Sequence, residues 1–108
     1  MKISLSIILF FVAGSLSAQT DTLVIRTSAL CETCKKAIEH DLSFVKGVKK
    51  SEVDLDEKVI TVVYNAEKTT PEKIRMAITK SGYDADSLKA DEKAFRRLPE
   101  CCKSPDHH

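Results

Sequence analysis

Neither sign of charge dominates this 108-residue chain, in which 17 lysines and arginines face 16 aspartates and glutamates. Such a balance supplies no general pull toward nucleic acid or an anionic membrane. Lys35-Lys36 and Lys49-Lys50 are isolated pairs, not a basic run interleaved with aromatic residues. The chain has no tryptophan, no internal repeat and no low-complexity stretch. It also lacks paired carboxylates in a pocket pattern, a nucleophile with an adjoining base and a phosphate-binding loop, so it reads as a protein without catalytic machinery. The length argues for one domain.

The most apolar stretch, Ile3 to Ala13, follows the positive start Met1-Lys2 and precedes small residues ending Leu16-Ser17-Ala18. This is the three-part layout of a secretory signal peptide, with cleavage expected after Ala18 or, alternatively, Ser17. The run falls short of the roughly 20 residues that span a bilayer comfortably, although an uncleaved anchor is the plainer alternative. No cysteine follows the run to take a lipid. The expected organisation is a signal peptide over 1–18, a folded domain over 19–89, and a short helix with a cysteine- and histidine-bearing tail over 90–108. A cleavable signal implies a periplasmic or secreted protein with no stable membrane insertion. Setting aside Lys2 leaves 16 charges of each sign in the exported part.

All four cysteines fall in that exported part, as Cys31, Cys34, Cys101 and Cys102. Closing either close-set pair on itself would make a loop too short to stabilise a fold much, so paired thiols here point to chemistry. Thr22–Thr27 is rich in β-branched residues and predicts a strand. Beyond the Cys31-Glu32-Thr33-Cys34 loop, apolar Cys34, Ala37, Ile38, Leu42 and Val45 define one helical face, closed by Gly47. Val48–Leu55 and Val59–Tyr64 predict strands joined in a hairpin by Asp56-Glu57-Lys58. Thr70-Pro71-Glu72 is a helix start, with Ile74, Ala77 and Ile78 as the buried stripe and Ser81-Gly82 as the stop. Tyr83–Leu88 predicts a short last strand. The result is an α+β, ferredoxin-like βαββαβ sandwich, an antiparallel sheet with two helices on one face. Asp91–Leu98 predicts a brief helix capped by Asp91 and ended by Pro99, and Glu100–His108 a polar, mobile end.

In this arrangement Cys31 sits just past a strand and Cys34 in the first turn of a helix. The N–H groups and dipole there favour thiolate over thiol, with Lys35 and Lys36 adding to the field. Two thiolates at this spacing suit one soft ion, with copper(I) first and mercury(II) or zinc(II) as further candidates. Cys31 and Cys34 are the expected metal ligands. A two-sulfur site leaves the ion open to attack by another protein's thiols.

With these motifs in place the chain resembles the heavy-metal-associated domain family over about Asp21 to Leu88. Ser28-Ala29-Leu30-Cys31-Glu32-Thr33-Cys34 corresponds to that family's Gly-Met-x-Cys-x-x-Cys. Both cysteines match, while Ser28 and Ala29 replace the glycine and the methionine that packs beneath the loop. Glu32 stands where members often carry a small residue. Ser81-Gly82-Tyr83-Asp84-Ala85 is similar to the family's Gly-Tyr-Asp-Ala turn, which implies that Tyr83 packs beside the metal loop without ligating. The resemblance assigns residues 19–89 to such a domain and implies a metallochaperone or scavenger that works as a monomer. It implies that the ion is handed to a metal-transporting membrane protein or cuproprotein, docked on the face carrying Lys35 and Lys36.

Three readings stay open for the tail. Cys101, Cys102, His107 and His108 form a second soft-metal site or supplement the first; or a tail cysteine forms a disulfide with Cys31 or Cys34; or the end is disordered. His40 is expected on the solvated side of its helix. The rival function is a thiol-disulfide oxidoreductase using the same two loop cysteines. Against it stand the hairpin after the first helix, the lack of a tryptophan before the pair and the lack of a proline placed to line a redox site.

Overall fold

The computed structural model describes residues 19–103; the predicted signal peptide over 1–18 and both His107 and His108 lie outside the described residues. The elements are β1 (Thr20–Arg26), α1 (Glu32–Leu42), β2 (Val48–Asp54), β3 (Val59–Asn65), α2 (Pro71–Lys80) and α3 (Glu92–Arg96), followed by a 3-10 turn at Glu100–Cys102. None of the described helices is long and apolar enough to cross a membrane.

The sheet has three strands in the order β1-β3-β2, with both pairings antiparallel. The central strand β3 alternates strictly, burying Ile60, Val62 and Tyr64 on one face, the period-2 consequence of the pleat. Ile25 and Val53 both stand opposite Ile60 in register. They join Ile38 and Leu42 of α1 and Ile74 and Ile78 of α2 in one core cluster. Each such side chain contributes about 1.5–3 kcal/mol when fully withdrawn from water. This is the predicted ferredoxin-like sandwich with a shorter sheet.

The expected last strand is where sequence and structure part. Tyr83–Leu88 makes only isolated bridges, Thr27 with Ala85 and Ala85 with Leu88. Side chains take the hydrogen bonds that a ladder would have used. Ser28 Oγ accepts from the Asp84 N–H at 3.0 Å, Asp84 Oδ1 accepts from the Ala90 N–H at 2.9 Å, and Asp86 Oδ1 accepts from the Arg26 N–H at 2.9 Å. Asp86 also adopts a left-handed φ of 55°, which breaks extended geometry.

Helix boundaries follow local chemistry. α1 ends at Leu42 with Ser43 as its cap, short of the expected Val45. Gly47 therefore acts after the helix, turning the chain into β2 at φ 94°, where a Cβ would lie 2.9 Å from Thr69 Cγ2. Pro71 opens α2, and Thr70 Oγ1 accepts from the Lys73 N–H at 3.2 Å as predicted for a cap. Asp91 caps α3 by accepting from the Ala94 N–H at 3.0 Å.

Candidate metal centre

Cys31 occupies the N-cap of α1 in extended conformation, and its carbonyl accepts the first helical bond, from Lys35 N–H at 3.0 Å. Cys34 falls in the first turn and is fully buried. Their sulfurs are 3.4 Å apart. Ala29, where the family resemblance expects methionine, is itself fully buried in the core, with Leu30 packed against it.

The end of the chain returns to this loop. Expected as a mobile segment, Glu100–Cys102 instead forms a 3-10 turn with Cys102 buried at 2 % exposure. Cys102 is disulfide-bonded to Cys34, one of the pairings left open by the sequence. Cys101 is exposed, and its Sγ lies 3.0 Å from Cys31 Sγ; Cys102 Sγ lies 3.6 Å from the same atom. Four sulfurs thus converge from two ends of the domain.

The tail is held in place by identifiable contacts. The Asp91 N–H donates to Thr79 O at 3.0 Å, fastening the start of α3 to the end of α2. Leu98 packs against the core and touches the backbone at Gly82. Lys103 Nζ donates to Arg96 O at 3.0 Å, closing the turn that carries the two cysteines. Gly82 makes this docking sterically feasible. At φ 104°, a Cβ there would lie 3.1 Å from both Ala94 O and Leu98 Cδ2. The glycine count offered no hint of this role, because the neighbour that needs the space is a distant helix.

Electrostatics separate the two free thiols. The neighbouring Cys101 thiol is the main influence holding Cys31 below the ordinary thiol range. Burial opposes it, and the N–H groups of Cys34 and Thr33 and the Thr33 hydroxyl assist. Cys101 is pushed up, chiefly by its hydrogen bond with Cys31 and then by burial. Tyr83 is buried at 1 % exposure, and its hydroxyl has no hydrogen-bond partner among the described residues. Burial first, then the negative charges of Cys31, Asp41 and Cys101, push its phenol up to about 12.

Lys35 and Lys36 diverge in role. The Lys35 ammonium is bound to Glu39 Oε2 and to Val53 O, each at 2.9 Å, which ties α1 to β2. That pairing raises its pKa, mainly through the hydrogen bond to Glu39. Lys36 is exposed, as is His40, which stacks edge-on against Phe44.

The heavy-metal-associated domain family matches residues 24–84. The copper chaperone CopZ of Staphylococcus epidermidis is 44% identical over 54 residues, covering 50% of this chain and 79% of CopZ. The mercuric transport protein periplasmic component of Salmonella typhi is 30% identical over 89 residues, covering 82% of this chain and 97% of that protein. The crystal structure of oxidized MerP from Ralstonia metallidurans superposes with a TM-score of 0.59 at 25% identity, over 62% of this chain and 94% of that one. With the cysteine loop at the mouth of α1 and the matched region running from within β1 past the end of α2, the chain belongs to the heavy-metal-associated domain family.

Proposed function

We propose that this protein is an exported carrier or scavenger of a soft metal ion, held by Cys31 and Cys34, with copper(I) as its first cargo and mercury(II) or zinc(II) as alternatives. The observation that carries the reading is the 3.4 Å separation of the two sulfurs at the start of α1. Helix N–H groups favour the thiolate form there, and thiolates select soft ions over magnesium or calcium. Relatives named for copper and for mercuric transport support the same class of cargo.

Export is supported by the signal-like pattern of residues 1–18 and by the periplasmic relative. The ion passes to a metal-transporting membrane protein or cuproprotein by exchange between thiolates, from a monomeric carrier. Of the two lysines expected to guide docking, Lys36 is free to do so, while Lys35 is engaged within the fold.

The test is an anaerobic copper(I) competition titration of the protein after reduction of the Cys34–Cys102 disulfide. Cys31→Ser and Cys34→Ser each abolish tight binding on this reading. Wild-type affinity in either variant sinks it.

A further inference from the structure

We propose that Cys101 and Cys102 complete Cys31 and Cys34 into a single four-sulfur site for a thiophilic d10 ion such as cadmium(II), zinc(II) or copper(I). The inference rests on the reading of Cys31 and Cys34 as ligands and changes what that site is. A two-sulfur loop becomes a cage closed by the end of the chain.

Distance is the first argument. A tetrahedral tetrathiolate with arms of about 2.3 Å has sulfur–sulfur edges of about 3.8 Å. From Cys31 Sγ the other sulfurs lie at 3.0 Å (Cys101), 3.4 Å (Cys34) and 3.6 Å (Cys102). The ligand atoms of Cys31, Cys101 and Cys102 all lie within 4.8 Å of one another. Reduction of the Cys34–Cys102 bond frees those two sulfurs to separate, and side-chain rotation then opens the group to a central ion.

Anchorage is the second argument. The tail cysteines arrive on a segment fixed by the Asp91 to Thr79 bond, by Leu98 against Gly82 and by Lys103 against Arg96. Ligands on a fastened segment are preorganised, so little ordering entropy opposes binding. Burial of Cys34 and Cys102 closes the floor of the site, while the exposed Cys101 leaves the entry on the side shared with Cys31.

The disulfide sets the condition for loading. A dithiol reductant gives two electrons and two protons to the Cys34–Cys102 bond and itself becomes a disulfide, leaving two free thiols. The ion then binds as the thiols release their remaining protons to solvent. An acceptor protein's thiols must displace Cys101 and Cys102 before the ion can leave, so the tail slows release as well as strengthening binding.

The experiment loads the reduced full chain anaerobically with cadmium(II). It counts sulfur ligands by X-ray absorption and measures affinity by competition. Four sulfurs are expected in the wild type and three in Cys101→Ser, a change at an exposed position that leaves the core intact. Cys101→Ser/Cys102→Ser is expected to bind at least about tenfold more weakly. A wild-type count below four, or a count that Cys101→Ser does not lower, overturns the proposal. Cys31→Ser/Cys34→Ser separates this failure from failure of the underlying reading: undiminished binding in that variant removes the loop itself as a site.

Discussion

Cys31 Sγ and Cys101 Sγ lie 3.0 Å apart although 70 positions separate them in the chain. Their mutual hydrogen bond is the main influence that holds Cys31 below the ordinary thiol range and pushes Cys101 above it, and the N–H groups of Cys34 and Thr33 further favour the Cys31 thiolate. With the Cys34–Cys102 disulfide intact, the alkylation rate of Cys31 should therefore rise at a lower pH than that of an ordinary cysteine. That of Cys101 should rise at a higher pH. Mass spectrometry of iodoacetamide-labelled peptides across a pH series measures both midpoints. Coincident midpoints would show that the two thiols do not share a proton.

The disulfide joins positions 68 residues apart. In the chain-entropy picture, closing a loop of that size removes unfolded-state freedom worth about 4 kcal/mol. Urea unfolding of the oxidised and the reduced metal-free protein should differ by roughly that amount, with the oxidised form the more stable. Adding a soft ion to the reduced form should recover stability as binding to the folded state predicts. Equal midpoints for the two metal-free forms would show that the tail adds no constraint.

Gly82 leaves open the space that α3 and Leu98 use against the main domain. Gly82→Ala combines a left-handed φ with a Cβ driven against Ala94 O and Leu98 Cδ2. The expected cost is on the order of 1–2 kcal/mol. The sharper consequence is local: displacing α3 should carry Cys102 away from Cys34. In the reduced variant Cys102 should alkylate much faster than in the reduced wild type. Unchanged protection would mean that the tail does not depend on this contact.

Tyr83 gives a test at alkaline pH. Its folded-state value of about 12 lies above the roughly 10 of an unfolded tyrosine. A raised pKa means that the folded state keeps a proton the unfolded chain has already lost. Stability is thus complete below about pH 10 and declines as pH rises toward 12. Tyr83→Phe removes this decline, and because the hydroxyl has no partner among the described residues, it costs little at neutral pH. Urea midpoints of the two proteins at pH 7 and pH 11 separate these effects. Parallel loss in both would assign the alkaline decline to other groups.

Much of the domain was legible from local rules. The β-branched run Val59–Tyr64 marked the strand that the structure places at the centre of the sheet, and Thr70-Pro71-Glu72 marked the start of α2, because strand propensity and cap act over a few residues. The stop of α1 was misplaced, since Gly47 serves the turn into β2 and not the helix end. The last strand failed for a different reason. Ser28, Asp84 and Asp86 intercept backbone N–H groups through side chains brought together by folding, and no window of neighbouring residues contains that competition. The same holds for Lys35, whose ammonium is bound by Glu39 and Val53 O, the second a partner that folding brings from another element.

By itself the sequence determined the sandwich, the placing of Cys31 and Cys34 at a helix mouth, and the family resemblance, because each depends on periodicity or spacing within one element. Only the tertiary structure decided that Cys101 and Cys102 belong with them. Their approach requires α3 to sit on Gly82 and the chain to turn after Pro99. The sulfurs meet through the packing of a helix on a distant glycine, a relation that linear spacing does not encode.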